Sequence, residues 1–274
     1  MNRRTRQAVG ALALAAAMAT GGAGAQGAKD SAVLEIEKYR AALGDGNPAE
    51  LWEARGEDLW KQQRGPKNAS LEKCDLGLGP GVVKGAYTVL PKYFADVDKV
   101  QDLEARLVTC MGTLQGIPEA EAKKDHFGDG PKRSVMEALV AYITSQSRGM
   151  RMNVAATHPK EREALAIGEK MFYYRAGPHD FACATCHGVD NQRIRLQDLP
   201  NLTKAADAQK AYGSWPGYRV SQGELRTMQH RIFDCYRQQR FPEPGYASDA
   251  VTALTLYLAH SANGGVYNAP ALKR

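Results

Sequence analysis

A chain of 274 residues, 43% hydrophobic and 24% charged, can build one large domain or two of about 110 residues with real cores. No internal run approaches about 18 consecutive apolar residues, so no mature segment is expected to span a membrane. The formal charge of +6 comes without a basic stripe interleaved with aromatics, which argues against nucleic acid as a partner.

Residues 1–25 read as a secretory signal. Arg3, Arg4 and Arg6 form a positive start, an apolar stretch runs from Ala8 to Ala19, and Ala23-Gly24-Ala25 offers small residues for cleavage. Export to the periplasm is therefore expected. Cleavage would leave about 33 basic against 30 acidic residues, a mild positive excess suited to an anionic substrate or acidic partner. All five cysteines, Cys74, Cys110, Cys183, Cys186 and Cys235, lie in the mature chain. In an oxidising compartment idle thiols tend to pair, and an odd number leaves at least one to explain.

Two stretches repeat. Gly56-Glu57-Asp58-Leu59-Trp60 is followed by Gly65-Pro66 and then Cys74-Asp75. Gly168-Glu169-Lys170-Met171-Phe172 is followed by Gly177-Pro178 and then Cys186-His187. In each, Gly-Pro begins nine residues after the first glycine and the cysteine falls eighteen after it. Each copy has a later cysteine with arginine four residues before it, Arg106…Cys110 and Arg231…Cys235. Each then closes on a helical pattern: Val135, Ala138, Leu139, Tyr142 and Ile143 in the first, Val251, Leu254, Leu258 and Ala259 in the second. Gly149 and Gly264 stand seven residues beyond Tyr142 and Tyr257, where they could end those helices.

The second copy alone carries a haem-attachment motif, Cys183 to His187, so the fold expected is mainly α, with two tandem cytochrome c-like domains over residues 26–155 and 160–274, the first without haem. Between them, His126 to Lys132 reads as a loop and Thr157-His158-Pro159-Lys160 as the linker. In the second copy Cys183-Ala184-Thr185-Cys186-His187 is C-x-x-C-H, the attachment motif for one covalently bound haem c. Cys183 and Cys186 would form the thioethers and His187 would ligate iron. A thioredoxin-like pair would want a strand–helix context, and a zinc site a second Cys/His pair; neither is present. In the first copy the motif positions hold Leu71, Glu72, Lys73, Cys74 and Asp75, which cannot bind haem in this way. Cys74 and Cys110 are expected to pair instead, closing a loop worth about 3–4 kcal/mol.

Cys235 remains, and three residues near it could be the second axial ligand: Met228, His230 and Cys235. Methionine would give a high-potential carrier, and thiolate a lower potential. The repeat favours Cys235. Arg231 could stabilise a thiolate there and hold an anion. His126, His158, His179 and His260 read as surface or structural, and Tyr173 and Tyr174 as core, or one of them as packing on the porphyrin. The tail after Gly264, with Pro270, reads as extended and able to embrace a partner.

These residues together resemble the SoxA family, the catalytic subunits of SoxAX sulfur-oxidation cytochromes. The match covers essentially the mature chain, and Leu71 and Asp75 make it similar to the mono-haem variety. The resemblance implies an L-cysteine S-thiosulfotransferase, which joins thiosulfate oxidatively to a cysteine of the carrier protein SoxYZ. It implies Cys235 as distal ligand, as a cysteine persulfide and as the catalytic sulfur, and Arg231 as the sulfonate-binding residue. It also implies a heterodimer with SoxX, a small cytochrome c that accepts the electrons. A channel to Cys235 is expected, with Arg219, Arg237 and Arg240 as candidates for its rim. The competing readings are a plain periplasmic electron-transfer cytochrome, with Met228 or His230 on iron, and a haem-bearing module of a respiratory complex.

Overall fold

Trp52, Gly56 and Trp60 recur every four residues and form the buried stripe of α1 (Glu50–Lys61). That stripe meets α4 (Val135–Ser145), whose start is fixed by Ser134 accepting from the Glu137 amide at 3.2 Å. The contact needs glycine: a Cβ on Gly56 would lie 2.0 Å from the Ala138 carbonyl oxygen. The second copy repeats this crossing. Gly168 on α5 (Pro159–Tyr173) meets Ala253 on α9 (Asp249–Ser261), and a Cβ there would again fall 2.0 Å from the carbonyl oxygen. Tyr142 and Tyr257 flank the two contacts in the same way. The conserved offset in the sequence is thus a packing constraint imposed twice.

The computed structural model describes residues 38, 46–128, 133–194 and 197–273. The expected signal at residues 1–25 and Asp129, Gly130, Pro131 and Lys132 of the expected loop lie outside them. Both copies fall within one compact unit, Pro48–Arg274. Among the described residues no helix is long and apolar enough to cross a membrane.

Each copy carries an antiparallel hairpin leading into a helix. In the first, β1 (Lys92–Phe94) pairs with β2 (Lys99–Gln101), and α2 (Leu103–Cys110) follows. Two short helical segments, Met111–Gln115 and α3 (Glu119–Ala122), continue from it. The second copy contains α6 (Cys183–His187), the short pair β3 (Arg193–Ile194) and β4 (Gln197–Asp198), and α7 (Ala205–Tyr212). Its hairpin is β5 (Gly217–Arg219) with β6 (Glu224–Arg226), followed by α8 (Met228–Gln239). The registers correspond: Phe94 opposes Lys99 as Arg219 opposes Glu224. Asp102 caps α2 through the Ala105 amide at 2.9 Å, and Thr227 caps α8 through the His230 amide at 3.1 Å.

The copies meet at these helix starts. Gln229 donates to Asp102 at 2.7 Å, and Tyr87 and Tyr212 stack with their hydroxyls 3.2 Å apart. Corresponding residues line a cavity of about 20 Å³ there: Tyr87 with Tyr212, Asp102 with Thr227, Leu103 with Met228, Glu104 with Gln229. That is room for about one water. Corresponding residues of the two copies thus face each other across this contact.

Glu104 breaks the symmetry with a buried acid. Burial, and then the charge of Asp102, push its carboxyl well above the usual carboxylate range, and Thr227 opposes this only in part. The folded state therefore holds a proton that the unfolded chain releases earlier, so stability falls as pH rises above the ordinary glutamate value. Glu104→Gln, which installs the residue found at Gln229, should leave stability near wild type at pH 4.5 and raise it at pH 8. Thermal unfolding at the two pH values measures this; an equal effect at both would contradict it.

Three expectations are corrected here. Thr157–Lys160 is not a free linker: His158 caps α5, Pro159 starts it, and the His158 ring stacks on Tyr93 at 3.7 Å. Tyr173 and Tyr174 are not core. They are 49% and 71% exposed, because the buried stripe of α5 passes through Gly168 and Phe172 and turns the next residues outward. The tail is extended but lies on its own chain. Tyr267 is fully buried, β7 (Ala271–Lys273) adds to β5 in parallel, and Tyr267 and Gly149–Met150 exchange backbone hydrogen bonds.

Candidate functional site

The haem motif forms the single turn α6. Thr185 accepts from the Ala182 amide at 2.9 Å, which closes the turn and sets Cys183 and Cys186 on it three residues apart. His187 follows at its end. Its Nδ1 faces the Pro200 carbonyl at 3.0 Å. A carbonyl only accepts, so Nδ1 carries the proton and Nε2 keeps its lone pair, the tautomer a metal ligand needs. Burial, and to a lesser degree the charge of Arg231, lower the His187 pKa and keep the ring neutral.

Cys235 lies on α8 within electrostatic reach of both motif cysteines. Burial pushes Cys183 up to about 12 and raises Cys235. Arg231 pulls Cys235 back, but burial wins. The stabilising effect expected of Arg231 is thus present, and burial outweighs it. A thiol in such a place deprotonates readily only when a metal coordinates it. Among the described residues no group of three or more His, Cys, Asp or Glu side chains could hold a bare metal ion. A haem needs fewer protein ligands, since the porphyrin supplies four bonds to iron. Two thiols on one turn, a neutral histidine with a free Nε2 and a half-buried thiol within electrostatic reach of them fit a covalently attached haem.

The other two ligand candidates are engaged elsewhere. His230 Nδ1 lies 2.8 Å from Glu137, and its ring stacks on Phe127 at 4.0 Å. Met228 lines the cavity between the lobes, where its counterpart is the core residue Leu103.

Beside α8 opens a cleft of about 550 Å³. Arg219, Arg226, Arg231 and Arg237 line it against Asp234 and Glu243, with Phe233 and Trp215 among the apolar walls. Arg231 belongs to this cleft and also acts on Cys235 and His187, so it joins the open space to the sulfur. Arg219 and Arg237 line the cleft as expected. Arg240 instead ends α8 with a left-handed backbone, φ 55°. Sequence reasoning missed Pro200 and Asp234. Asp234 braces Arg231 at 3.3 Å and Arg237 at 2.6 Å, and its spacing of three from each could have revealed it. The Pro200 group is a backbone carbonyl and carries no side-chain signal.

In the first copy Leu71 is fully buried at the place of Cys183. Asp75, at the place of His187, accepts from the Gly77 and Gly79 amides at 2.7 and 3.0 Å. Cys74 and Cys110 form a disulfide. Of the bland histidines, His126 stacks on Tyr246 at 3.8 Å, His179 lies near Phe181, and His260 is exposed.

Comparison with known proteins agrees with this architecture. The model of the SoxA/TsdA cytochrome c domain matches twice, over residues 55–152 and 167–266. The L-cysteine S-thiosulfotransferase subunit SoxA of Hydrogenophilus thermoluteolus is 54% identical over 239 residues, covering 87% of each chain. One from Hydrogenobacter thermophilus is 34% identical over 228 residues, covering 83% of this chain and 82% of the relative. The crystal structure of SoxXA from P. pantotrophus superposes with a TM-score of 0.70 at 25% identity, over 86% of this chain and 84% of that one. Two tandem matches across most of the sequence, on a fold built as two copies of a cytochrome c-like unit, place this chain in the SoxA/TsdA cytochrome c family.

Proposed function

We propose that this protein is an exported L-cysteine S-thiosulfotransferase subunit that couples thiosulfate oxidatively to a cysteine of a SoxYZ-like carrier protein. The observation that carries the reading is Arg231, which lines the basic cleft and acts directly on Cys235 and His187. The names and similarity of the relatives support the same activity.

One haem c would be held by Cys183, Cys186, His187 and Cys235. When bound it supplies one-electron redox chemistry beside a sulfur ligand. Leu71 and Asp75 support a first domain without haem, stapled by Cys74–Cys110. The domains would run over residues 26–155 and 160–274, after a cleaved periplasmic signal. Thiosulfate is a dianion, and a guanidinium forms paired, charge-assisted bonds with its oxygens. Arg231 would hold the sulfonate end and turn the outer sulfur toward Cys235. Cys235, carrying one extra sulfur as a persulfide, would be the catalytic sulfur. Holding the reactants in the cleft replaces a diffusive encounter with an oriented one.

In the net reaction a sulfur–sulfur bond forms between the carrier cysteine and the outer sulfur of thiosulfate. The thiol proton is lost and two electrons leave, one at a time, to a SoxX-like partner cytochrome. The SoxXA structure of the relative supports such a partner. The test supplies the holoprotein with thiosulfate, a reduced carrier and the oxidised partner cytochrome. A thiosulfonate adduct on the carrier cysteine is expected, with two electrons transferred per adduct. Reduction without an adduct would favour the plain electron-transfer reading.

A further inference from the structure

The two copies treat one pair of positions in opposite ways. In the first, Arg106 lies over the Phe94 ring, 4.0 Å from its centroid. It also bonds both oxygens of Asp96 at 3.0 and 2.7 Å and the Asp75 carbonyl at 2.6 Å. Its side chain is only 6% exposed. The charge is stacked, neutralised and sealed.

The second copy has the same scaffold with different residues. Arg231 stands four residues before Cys235 as Arg106 stands before Cys110. The hairpin register puts Arg219 where the first copy has Phe94, and two residues on Ser221 where it has Asp96. The stacking ring has become a second cation, and the carboxylate has become a hydroxyl. Among the described residues the Arg219 side chain makes no hydrogen bond or ion pair, and its Nε is buried without a partner. Arg231 has one carboxylate, Asp234, which also serves Arg237 and Gln238. Both guanidiniums line the same cleft and repel each other. Asp234 offsets that repulsion only in part, and a buried unpaired donor such as the Arg219 Nε is unfavourable unless something of opposite charge completes the site.

We infer that Arg219 and Arg231 together form a two-guanidinium seat for a tetrahedral oxyanion, with Arg219 determining specificity for the sulfonate end of thiosulfate. This rests on the proposed function for the identity of the ligand. The built features are the unpartnered Arg219 Nε, the exchange of Asp96 for Ser221, and a cleft large enough to admit the anion. Doubly charged tetrahedral anions fit such a pair better than chloride, because each guanidinium can take two oxygens.

The test is equilibrium binding of thiosulfate, and separately of redox-inert sulfate, to the oxidised holoprotein at constant ionic strength in chloride. Carrier and partner cytochrome are omitted. Arg219→Phe, which installs the residue of the first copy, should weaken both anions at least tenfold with haem content and absorption unchanged. Arg219→Lys should fall between. Ser221→Asp, which restores the internal counter-ion, should weaken binding similarly without removing either arginine. Wild-type affinity in Arg219→Phe or Ser221→Asp would overturn the seat, as would wild-type protein that binds neither anion more tightly than chloride. Tight, Arg219-dependent binding without transfer to a carrier cysteine would instead leave the seat standing and refute the proposed function.

Discussion

Arg231→Ala is expected to lower thiosulfate-dependent turnover about a hundredfold or more, with haem content unchanged. The side chain serves two purposes at once. It lines the cleft that admits the substrate, and its charge lowers the pKa of the Cys235 sulfur. A hydrogen bond to a charged group contributes about 1.5–3 kcal/mol, and about 1.4 kcal/mol is a factor of ten in rate. Losing a paired bond to the sulfonate therefore accounts for two orders of magnitude. Losing the field at Cys235 adds to that. Asp234 would lose its partner at 3.3 Å but keep Arg237 and Gln238, so α8 should hold its place. Steady-state kinetics with the carrier, beside a haem quantification, measures this. Unchanged turnover would remove Arg231 from the site.

Replacing Cys74 and Cys110 together by serine should lower the thermal midpoint by about 10 °C. The disulfide joins residues separated by 36 positions, and the chain-entropy relation gives about 4 kcal/mol for a loop of that length. For a unit of this size each kcal/mol moves the midpoint by about 2–4 °C. Both cysteines are buried beside Leu71, Leu76 and Leu107, so serine also introduces hydroxyls into an apolar core. The second copy should lose much less, and haem absorption should survive well into the range where the first copy has unfolded. Calorimetry beside haem absorbance separates the two. A shift under about 2 °C would contradict the disulfide as the staple of the first copy.

The duplication was legible in the sequence because the fold leaves few alternatives at its landmarks. Gly56 and Gly168 repeat because each helix crossing brings a carbonyl within 2.0 Å of where a Cβ would be. Arg106 and Arg231 repeat because each sits one helical turn before a cysteine on the helix that follows the hairpin. Cys183, Cys186 and His187 could therefore be read from their motif and Arg231 and Cys235 singled out by the repeat, while the roles of the last two came from the resemblance to the SoxA family. What lay beyond the sequence was direction. Helical periodicity did not say that Tyr173 and Tyr174 fall just past the buried stripe of α5. Composition did not say that the tail after Gly264 would find its place on β5 and the Met150 region. Nor did one dimension show that His230 turns toward Glu137 in the other lobe. Arg219 was visible as a charge, but its meaning emerged only when the hairpin register set it against Phe94.

The same internal comparison organises the two cysteine pairs. Cys74 and Cys110 are bonded in the first copy. Their counterparts Cys186 and Cys235 stay separate, one on α6 and one on α8. The helix that bears the later cysteine is retained in both copies, whereas the stretch around Cys74 is a non-helical turn where the second copy has α6. Leu71 fills the place of a thioether cysteine, and Asp75 binds its own loop where His187 presents a ring nitrogen.

The most direct test of the account is the chemical state and ligation of Cys235 in purified, mature holoprotein. Peptide mass mapping combined with electron paramagnetic resonance reports both. The account predicts one haem on Cys183 and Cys186, a low-spin signal of histidine–thiolate type, and a Cys235 peptide heavier by one sulfur atom. Methionine ligation through Met228, with Cys235 recovered as an unmodified thiol, would contradict it.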